Sequence, residues 1–294
     1  MRTLALRVTL LASLAGCTTP LSTEESAIIG GTRSTGASAT MMLVGYPPDR
    51  SVIHTCTAVL VAPGVLLTAA HCIDAPTHPN YSYGVFTGDD ASPYPLLVDL
   101  EPHLEGVAQV YPHPSYSSML PFYADIGVVV LDAALTVAPM PMPSALLDAT
   151  IIGKPATIIG YGQTTYQEFN SARYEATTTV TAIENDTFVV GDAQTRSCLG
   201  DSGGPVIVDG MVVGIDSYGP TGCGGPAHYR RVDTFLPFIT PFLPPAPGGA
   251  DAGPDAGPGT TEPTDDGGCR TGGGGSLGLA LGVLALAPRR RRRA

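Results

Sequence analysis

Three residues of this chain have the types and settings that acyl chemistry needs: Ser202, His71 and Asp125. Ser202 lies in Cys198-Leu199-Gly200-Asp201-Ser202-Gly203-Gly204-Pro205. Glycines accept backbone angles that other residues resist, so a serine among them can ride a tight turn. The N–H groups of such a turn can stabilise negative charge on a substrate oxygen. A bare Gly-Asp-Ser-Gly is also an ordinary polar turn, so its meaning rests on the rest of the chain. His71 ends the run Leu67-Thr68-Ala69-Ala70-His71-Cys72, and Cys56 lies sixteen residues before Cys72. In an exported chain a Cys56–Cys72 disulfide can close that loop and pin the turn bearing His71, contributing roughly 3 kcal/mol in the chain-entropy account. Asp125 stands at the mouth of the apolar run Ile126-Gly127-Val128-Val129-Val130-Leu131. A carboxylate there is costly without a partner, and a histidine ring N–H is such a partner. Together the three make a nucleophile, a base and an orienting acid.

The elements that must position them read as short strands. Apolar, β-branched runs recur at Thr57–Leu67, Ile126–Leu131, Ala156–Tyr161, Thr177–Ile183, Pro205–Val208 and Met211–Ile215. Breakers such as Ala62-Pro63-Gly64 and Asp209-Gly210 separate them, and Asp209-Gly210 between two apolar runs predicts a hairpin. The best helix candidate is Asp233–Leu243, interrupted by Pro237 and Pro241. An all-β fold of antiparallel barrels or sandwiches follows.

The chain order His71, Asp125, Ser202 resembles that of the trypsin/chymotrypsin family of serine peptidases, as do Thr-Ala-Ala-His-Cys, Asp-Ile-Gly-Val-Val-Val-Leu and Gly-Asp-Ser-Gly-Gly-Pro. The likeness covers about residues 28–243. Gly200-Asp201-Ser202-Gly203-Gly204 also fits the elbow of α/β-hydrolases, but that fold orders its triad serine, acid, histidine. The only histidine after Ser202 is His228, too close in sequence for the remaining strands and crossovers.

The resemblance implies two antiparallel Greek-key β-barrels with a short C-terminal helix. It implies a serine endopeptidase that needs no metal and no cofactor. It assigns the oxyanion hole to the N–H groups of Gly200 and Ser202, and a disulfide bordering the specificity pocket to Cys198 and Cys223. Ser217-Tyr218-Gly219 matches the segment that supports the triad aspartate and pairs with substrate backbone, with Tyr218 where the family usually has tryptophan. Asp201 matches the residue that takes an ion pair from a freed N-terminal amine, here that of Ile28 in Ile28-Ile29-Gly30-Gly31. Arg196 stands where trypsin-like members carry the aspartate that selects Lys and Arg, and Ala227 matches a small pocket-wall residue. An arginine at the pocket base predicts poor cleavage after Lys and Arg. The other reading of Arg196 is a side chain turned outward or paired to a local acid such as Asp192. The chain also departs from the family at Thr57-Ala58, where two glycines are usual. Two further classes share the scaffold: a catalytically silent binding protein and an esterase.

Composition bounds the partners. The 294 residues carry a formal charge of −11, and five of the fifteen basic residues are Arg289 to Arg293. Residues 28–243 hold seven Lys and Arg against nineteen Asp and Glu, near −12, which argues against a nucleic-acid partner. Protein or peptide substrates and an activating protease are the partners expected.

The ends read as targeting segments. Arg2 and Arg7 precede the apolar run Val8–Ala15, as in a secretory signal, and Leu14-Ala15-Gly16-Cys17 resembles a bacterial lipobox with Cys17 lipidated. An ordinary signal peptide is the alternative. Residues 1–17 are then the signal, and 18–27 a propeptide. Residues 244–268, rich in Pro, Gly and Asp, read as a disordered linker. In residues 269–294, Cys269, an apolar run Leu277–Ala287 and the arginines resemble the myxobacterial C-terminal sorting tag; a plain membrane anchor is the alternative. Both ends imply export to the cell surface or outer membrane.

Overall fold

The β-branched runs fold as thirteen strands among the described residues. The computed structural model describes residues 28–245 other than 37, 52, 120–121 and 163–170. The expected signal, propeptide and C-terminal segments, with Cys17 and Cys269, and the expected linker from residue 246 on lie outside the described residues.

The first barrel contains β2 (Thr40–Tyr46), β3 (His54–Ala62), β4 (Val65–Thr68), β5 (Ser82–Phe86), β6 (Leu104–Pro112) and β7 (Gly127–Leu131). It closes in the order β2-β3-β4-β7-β6-β5. The second contains β8 (Pro155–Gly160), β9 (Tyr174–Glu184), β10 (Thr187–Val190), β11 (Pro205–Val208), β12 (Met211–Tyr218) and β13 (Ala227–Arg231). Its order is β9-β10-β13-β12-β11-β8, closed by β8 on β9, with the two-residue β1 (Thr32–Arg33) added outside β9. Both barrels therefore share one connectivity, two closed six-stranded antiparallel barrels in tandem.

Local sequence explains the corners. The run Thr57–Leu67 splits at Pro63-Gly64 into β3 and β4. Asp209 and Gly210 both take positive φ, 51° and 76°, and turn β11 into β12 in the two-residue hairpin their sequence predicts. The helix expected over 233–243 forms as three short pieces: a 3-10 turn at Val232–Phe235, an α-helical turn at Leu236–Ile239, and a 3-10 turn at Thr240–Phe242. Pro237 and Pro241 fall near the starts of the last two, where a missing N–H costs nothing. A further helical turn, Leu97–Leu100, lies between β5 and β6.

The cores show why the barrels stay together. Val212 and Ile215 of β12 pack with the first barrel's cluster, as do Val232, Phe235 and Ile239 of the C-terminal helical segment. Val213 packs with the second barrel's cluster. Strand β12 thus joins both interiors, and the next residues along it, Asp216 to Tyr218, reach the site.

Candidate active site

Each barrel contributes part of the site. His71 lies on a 3-10 turn, Ala70–Cys72, that begins two residues after β4. Asp125 lies two residues before β7, fully buried. The Asp125 carboxylate accepts from the His71 backbone N–H at 2.8 Å through one oxygen. Its other oxygen lies 2.8 Å from His71 Nδ1 and accepts from the Ser217 hydroxyl at 2.7 Å. A carboxylate can only accept, so Nδ1 carries the proton and Nε2 is left as the basic nitrogen. Burial opposes a charged imidazole. The Asp125 hydrogen bond and charge, with the charge of Asp216, outweigh it and hold His71 above the ordinary imidazole value.

Ser202 comes from the turn before β11 and is tied to the first barrel. Its carbonyl accepts from the Thr57 N–H at 2.8 Å and lies 3.8 Å from the Cys72 sulfur. Thr57, where two glycines were the expected pattern, is a strap. Its hydroxyl donates to the Gly200 carbonyl at 3.1 Å and accepts from the Tyr161 N–H at 3.0 Å, while its carbonyl accepts from Thr68 Oγ1 at 2.8 Å. Gly203 follows at φ 84°, and a Cβ there would come within 2.2 Å of the Thr57 carbonyl oxygen, so no other residue fits this approach. No backbone acceptor takes the N–H of Gly200 or Ser202 among the described residues. Two N–H groups at the Ser202 turn are in this way without a backbone acceptor, as the N–H donors of an oxyanion site would be.

Both expected disulfides form. Cys56–Cys72 pins the His71 turn, and Cys198–Cys223 borders a cavity beside Ser202. The cavity has a volume of about 280 Å³, and Ser197, Asp216, Ser217, Tyr218 and Gly219 line it. Arg196 and Ala227 do not. The Arg196 guanidinium donates to the carbonyls of Cys223 and Ala193, and Asp192 is occupied by the N–H groups of Gln194 and Thr195. Two backbone carbonyls thus hold the Arg196 guanidinium, and among the described residues no acid pairs with it. Ala227 is buried with the second barrel's core.

Two residues that sequence reasoning passed over belong here. Phe122 lies 5.8 Å from the His71 ring and 6.1 Å from that of Tyr218, ring centroid to ring centroid. Tyr218 also stacks on His228 at 4.4 Å, so an aromatic wall flanks His71. Asp216, buried on β12, is the other.

Asp201 is buried behind the turn, where its carboxylate accepts from the N–H groups of Gly162 and Cys198, each at 2.8 Å. No ion pair reaches it among the described residues. Burial pushes its carboxyl well above the usual range, the nearby charge of Asp216 adds to this, and the two N–H groups oppose it. Ile28 is buried in the second core. Ile29 exchanges backbone hydrogen bonds with Arg196, at 2.9 and 3.2 Å, which fixes the start of the domain against the segment leading to Ser202.

A family model for trypsin matches residues 28–239. A trypsin of Phaedon cochleariae is 29% identical, with the match covering 63% of this chain and 78% of that protein. A trypsin of Saccharopolyspora erythraea is 27% identical over 61% of this chain and 83% of its own length. Among solved structures, GrC is 26% identical with a TM-score of 0.60, covering 73% of this chain and 98% of that one. Neuropsin, a serine protease expressed in the limbic system of mouse brain, is similar in fold, with 24% identity and a TM-score of 0.57 over 72% of this chain and 97% of that one.

Proposed function

Since the chain belongs to the trypsin family of serine proteases, we propose that it is a serine endopeptidase whose nucleophile is Ser202. The observation that carries this reading is the Asp125 carboxylate. It is fully buried and holds both the N–H and Nδ1 of His71, so the imidazole is oriented and its free nitrogen is basic. In the proposed reaction Ser202 Oγ attacks the scissile carbonyl carbon, and its proton passes to His71 Nε2. The carbonyl oxygen becomes an oxyanion facing the N–H groups of Gly200 and Ser202. The C–N bond then breaks, the leaving amine takes the proton from His71, and Ser202 is left as an ester. Water, deprotonated by His71, releases the acid and restores Ser202. Asp125 stabilises the imidazolium that forms.

We read the chain as an exported zymogen. In the uncut chain the Ile28 nitrogen is an amide and cannot neutralise Asp201, whose buried carboxyl lacks an ion pair among the described residues. Cleavage between Ala27 and Ile28 creates the ammonium. The residue before the cut is alanine, so the activating protease is one that accepts small residues. Cys17 and the segment from Cys269 are the proposed attachments to a membrane or cell surface. The cut separates Cys17 from the domain, leaving the C-terminal segment to retain the active enzyme.

The experiment is hydrolysis of a mixed peptide library by protein cut before Ile28, with Ser202→Ala beside it. Loss of activity to below about one-thousandth in the variant supports the reading, since a triad acts as a unit. Comparable activity in both would mean that another nucleophile operates. Edman sequencing of active material should start at Ile28, and truncation after Gly268 should release the enzyme from cells. A fully active enzyme starting at Cys17, or persistent attachment of the truncated form, would refute those two steps.

A further inference from the structure

Arg230 sits on β13, paired with Ile215 of β12 on one side and Thr187 of β10 on the other. Its side chain is almost wholly buried, 3% exposed. A buried guanidinium is costly unless its charge and its donors are met. Asp186, in the turn between β9 and β10, meets the charge through one terminal nitrogen at 2.7 Å. Asp186 is itself held there, because its carbonyl accepts from the Arg231 N–H at 2.9 Å. The other terminal nitrogen crosses to the first barrel and donates to the carbonyl of Phe122. The guanidinium also lies over the Tyr218 ring, 5.6 Å from its centroid.

Phe122 needs such an anchor. Its φ of 40° is on the left-handed side, which a bulky side chain rarely adopts. Such a conformation persists only where its surroundings enforce it. Its N–H donates to the Met119 carbonyl at 2.8 Å, and its own carbonyl accepts from Arg230. The ring so placed lies 5.8 Å from that of His71, with 27° between the planes, and 6.1 Å from that of Tyr218. Asp125 fixes His71 Nδ1, but where Nε2 points also depends on the tilt of the imidazole about that bond. A ring lying beside the imidazole limits the tilt and keeps water from that side.

We propose that Arg230 is a positioning residue for the base: anchored on Asp186, it holds the Phe122 carbonyl and so keeps the Phe122 ring against His71. The proposal deepens the endopeptidase reading above and rests on it. The second barrel then acts on the base of the first at two points, Ser217 through Asp125 and Arg230 through Phe122.

A titration signature separates this role from a merely structural one. Burial is what opposes the charged imidazole of His71. Loss of the Phe122 cover weakens that opposition, so the His71 pKa rises and the acid limb of kcat/KM moves to higher pH. The charges acting on His71 are those of Asp125 and Asp216, and His54 and His78 interact with its own charge. Around Arg230 the titratable groups are Asp186, Glu184, Tyr218 and His228. Removing the Arg230 cation also favours a charged His71, so a variant that lacks the Phe122 ring is needed to separate the two causes.

The test is a double-mutant cycle between Arg230 and Phe122 in protein cut before Ile28, with thermal melts of every variant. Arg230→Met should lower kcat and kcat/KM together by about ten-fold, the weight of one hydrogen bond to a charged group. Arg230→Lys should lose about three-fold, since an ammonium keeps the charge without the fork that reaches both acceptors. Once Phe122→Ala is in place, adding Arg230→Met should cost less than about two-fold, because both act through one contact. Losses that multiply in the double variant overturn the proposal. A second measurement needs no catalysis: titration of the His71 imidazole by NMR in Ser202→Ala. Arg230→Met should raise its pKa there, and should leave it unmoved when Phe122→Ala is also present. An unmoved pKa in the first case, or an equal shift in both, overturns the proposal. If Arg230→Met fails to fold, Arg230→Lys, which keeps a cation for Asp186, carries both cycles. A wild type without peptidase activity but with the NMR shift would sink the endopeptidase reading alone. An active wild type with multiplying losses would sink this proposal alone.

Discussion

Ser217 donates its hydroxyl to Asp125 at 2.7 Å, on the same carboxylate oxygen that faces His71 Nδ1. The acid thus has three donors, two from the first barrel and one from the second. The His71–Asp125 pair is held across the junction of the barrels, so its geometry reports how the barrels dock.

Removing the Asp125 charge should be far costlier than removing one donor. Asp125→Asn should lower kcat by about 10⁴, since an amide favours the wrong histidine tautomer. Ser217→Ala should lower kcat by about ten-fold, the weight of one charge-assisted hydrogen bond, with a smaller change in KM. Steady-state kinetics on one good substrate checks both. Equal effects would mean that Asp125 acts only as a packing residue.

The base sets the acid side of the pH profile. His71 must be neutral to take the Ser202 proton, and its pKa is raised, so kcat/KM should fall on acidification at a pH above the ordinary imidazole range. Asp216 contributes to that raising, so Asp216→Asn should move the acid limb to lower pH. A limb that stays in place would remove Asp216 from the electrostatics of the site.

Thr57 links both barrels through three hydrogen bonds of its side chain and carbonyl. Thr57→Val keeps the shape and deletes the hydroxyl, leaving the buried Tyr161 N–H without its acceptor. A loss of about 1–3 kcal/mol is expected in denaturant unfolding. Thr57→Ser should restore most of it. If Thr57→Val were as stable as wild type, the strap would be incidental.

Asp201 should behave oppositely before and after cleavage at Ile28. Its carboxyl is pushed up by burial, so in the uncut chain Asp201→Asn should be neutral or stabilising, increasingly so as pH rises and the buried charge must form. In cut protein the same change should abolish the gain in activity, because the new ammonium loses its partner. Thermal melts of both forms, with activity before and after cutting, distinguish this from a simple folding defect.

The legible parts of this molecule were those written locally. The triad motifs, the Cys56–Cys72 disulfide and the Asp209-Gly210 hairpin could be read from the residues around them, whereas the Cys198–Cys223 pairing came only from the family resemblance. The barrels were legible as a class, because β-branched runs between breakers have few other uses. Asp216 was within reach of the argument applied to Asp125, an acid in an apolar strand, but it lies between the run Met211–Ile215 and the Ser217-Tyr218-Gly219 motif. Arg196 shows the opposite case. Its position along the chain indicates where its backbone lies, whereas its direction depends on the carbonyls of Cys223 and Ala193. Phe122 approaches His71 only through the fold of its loop, where it takes a φ of 40° that nothing in its neighbours announces.

The most direct test of the central claim is labelling of protein cut before Ile28 with a fluorophosphonate, followed by mass mapping of the adduct. The account predicts one adduct, on Ser202, lost on prior substitution of His71 by alanine. Peptide hydrolysis by protein that carries no adduct on Ser202 would contradict it.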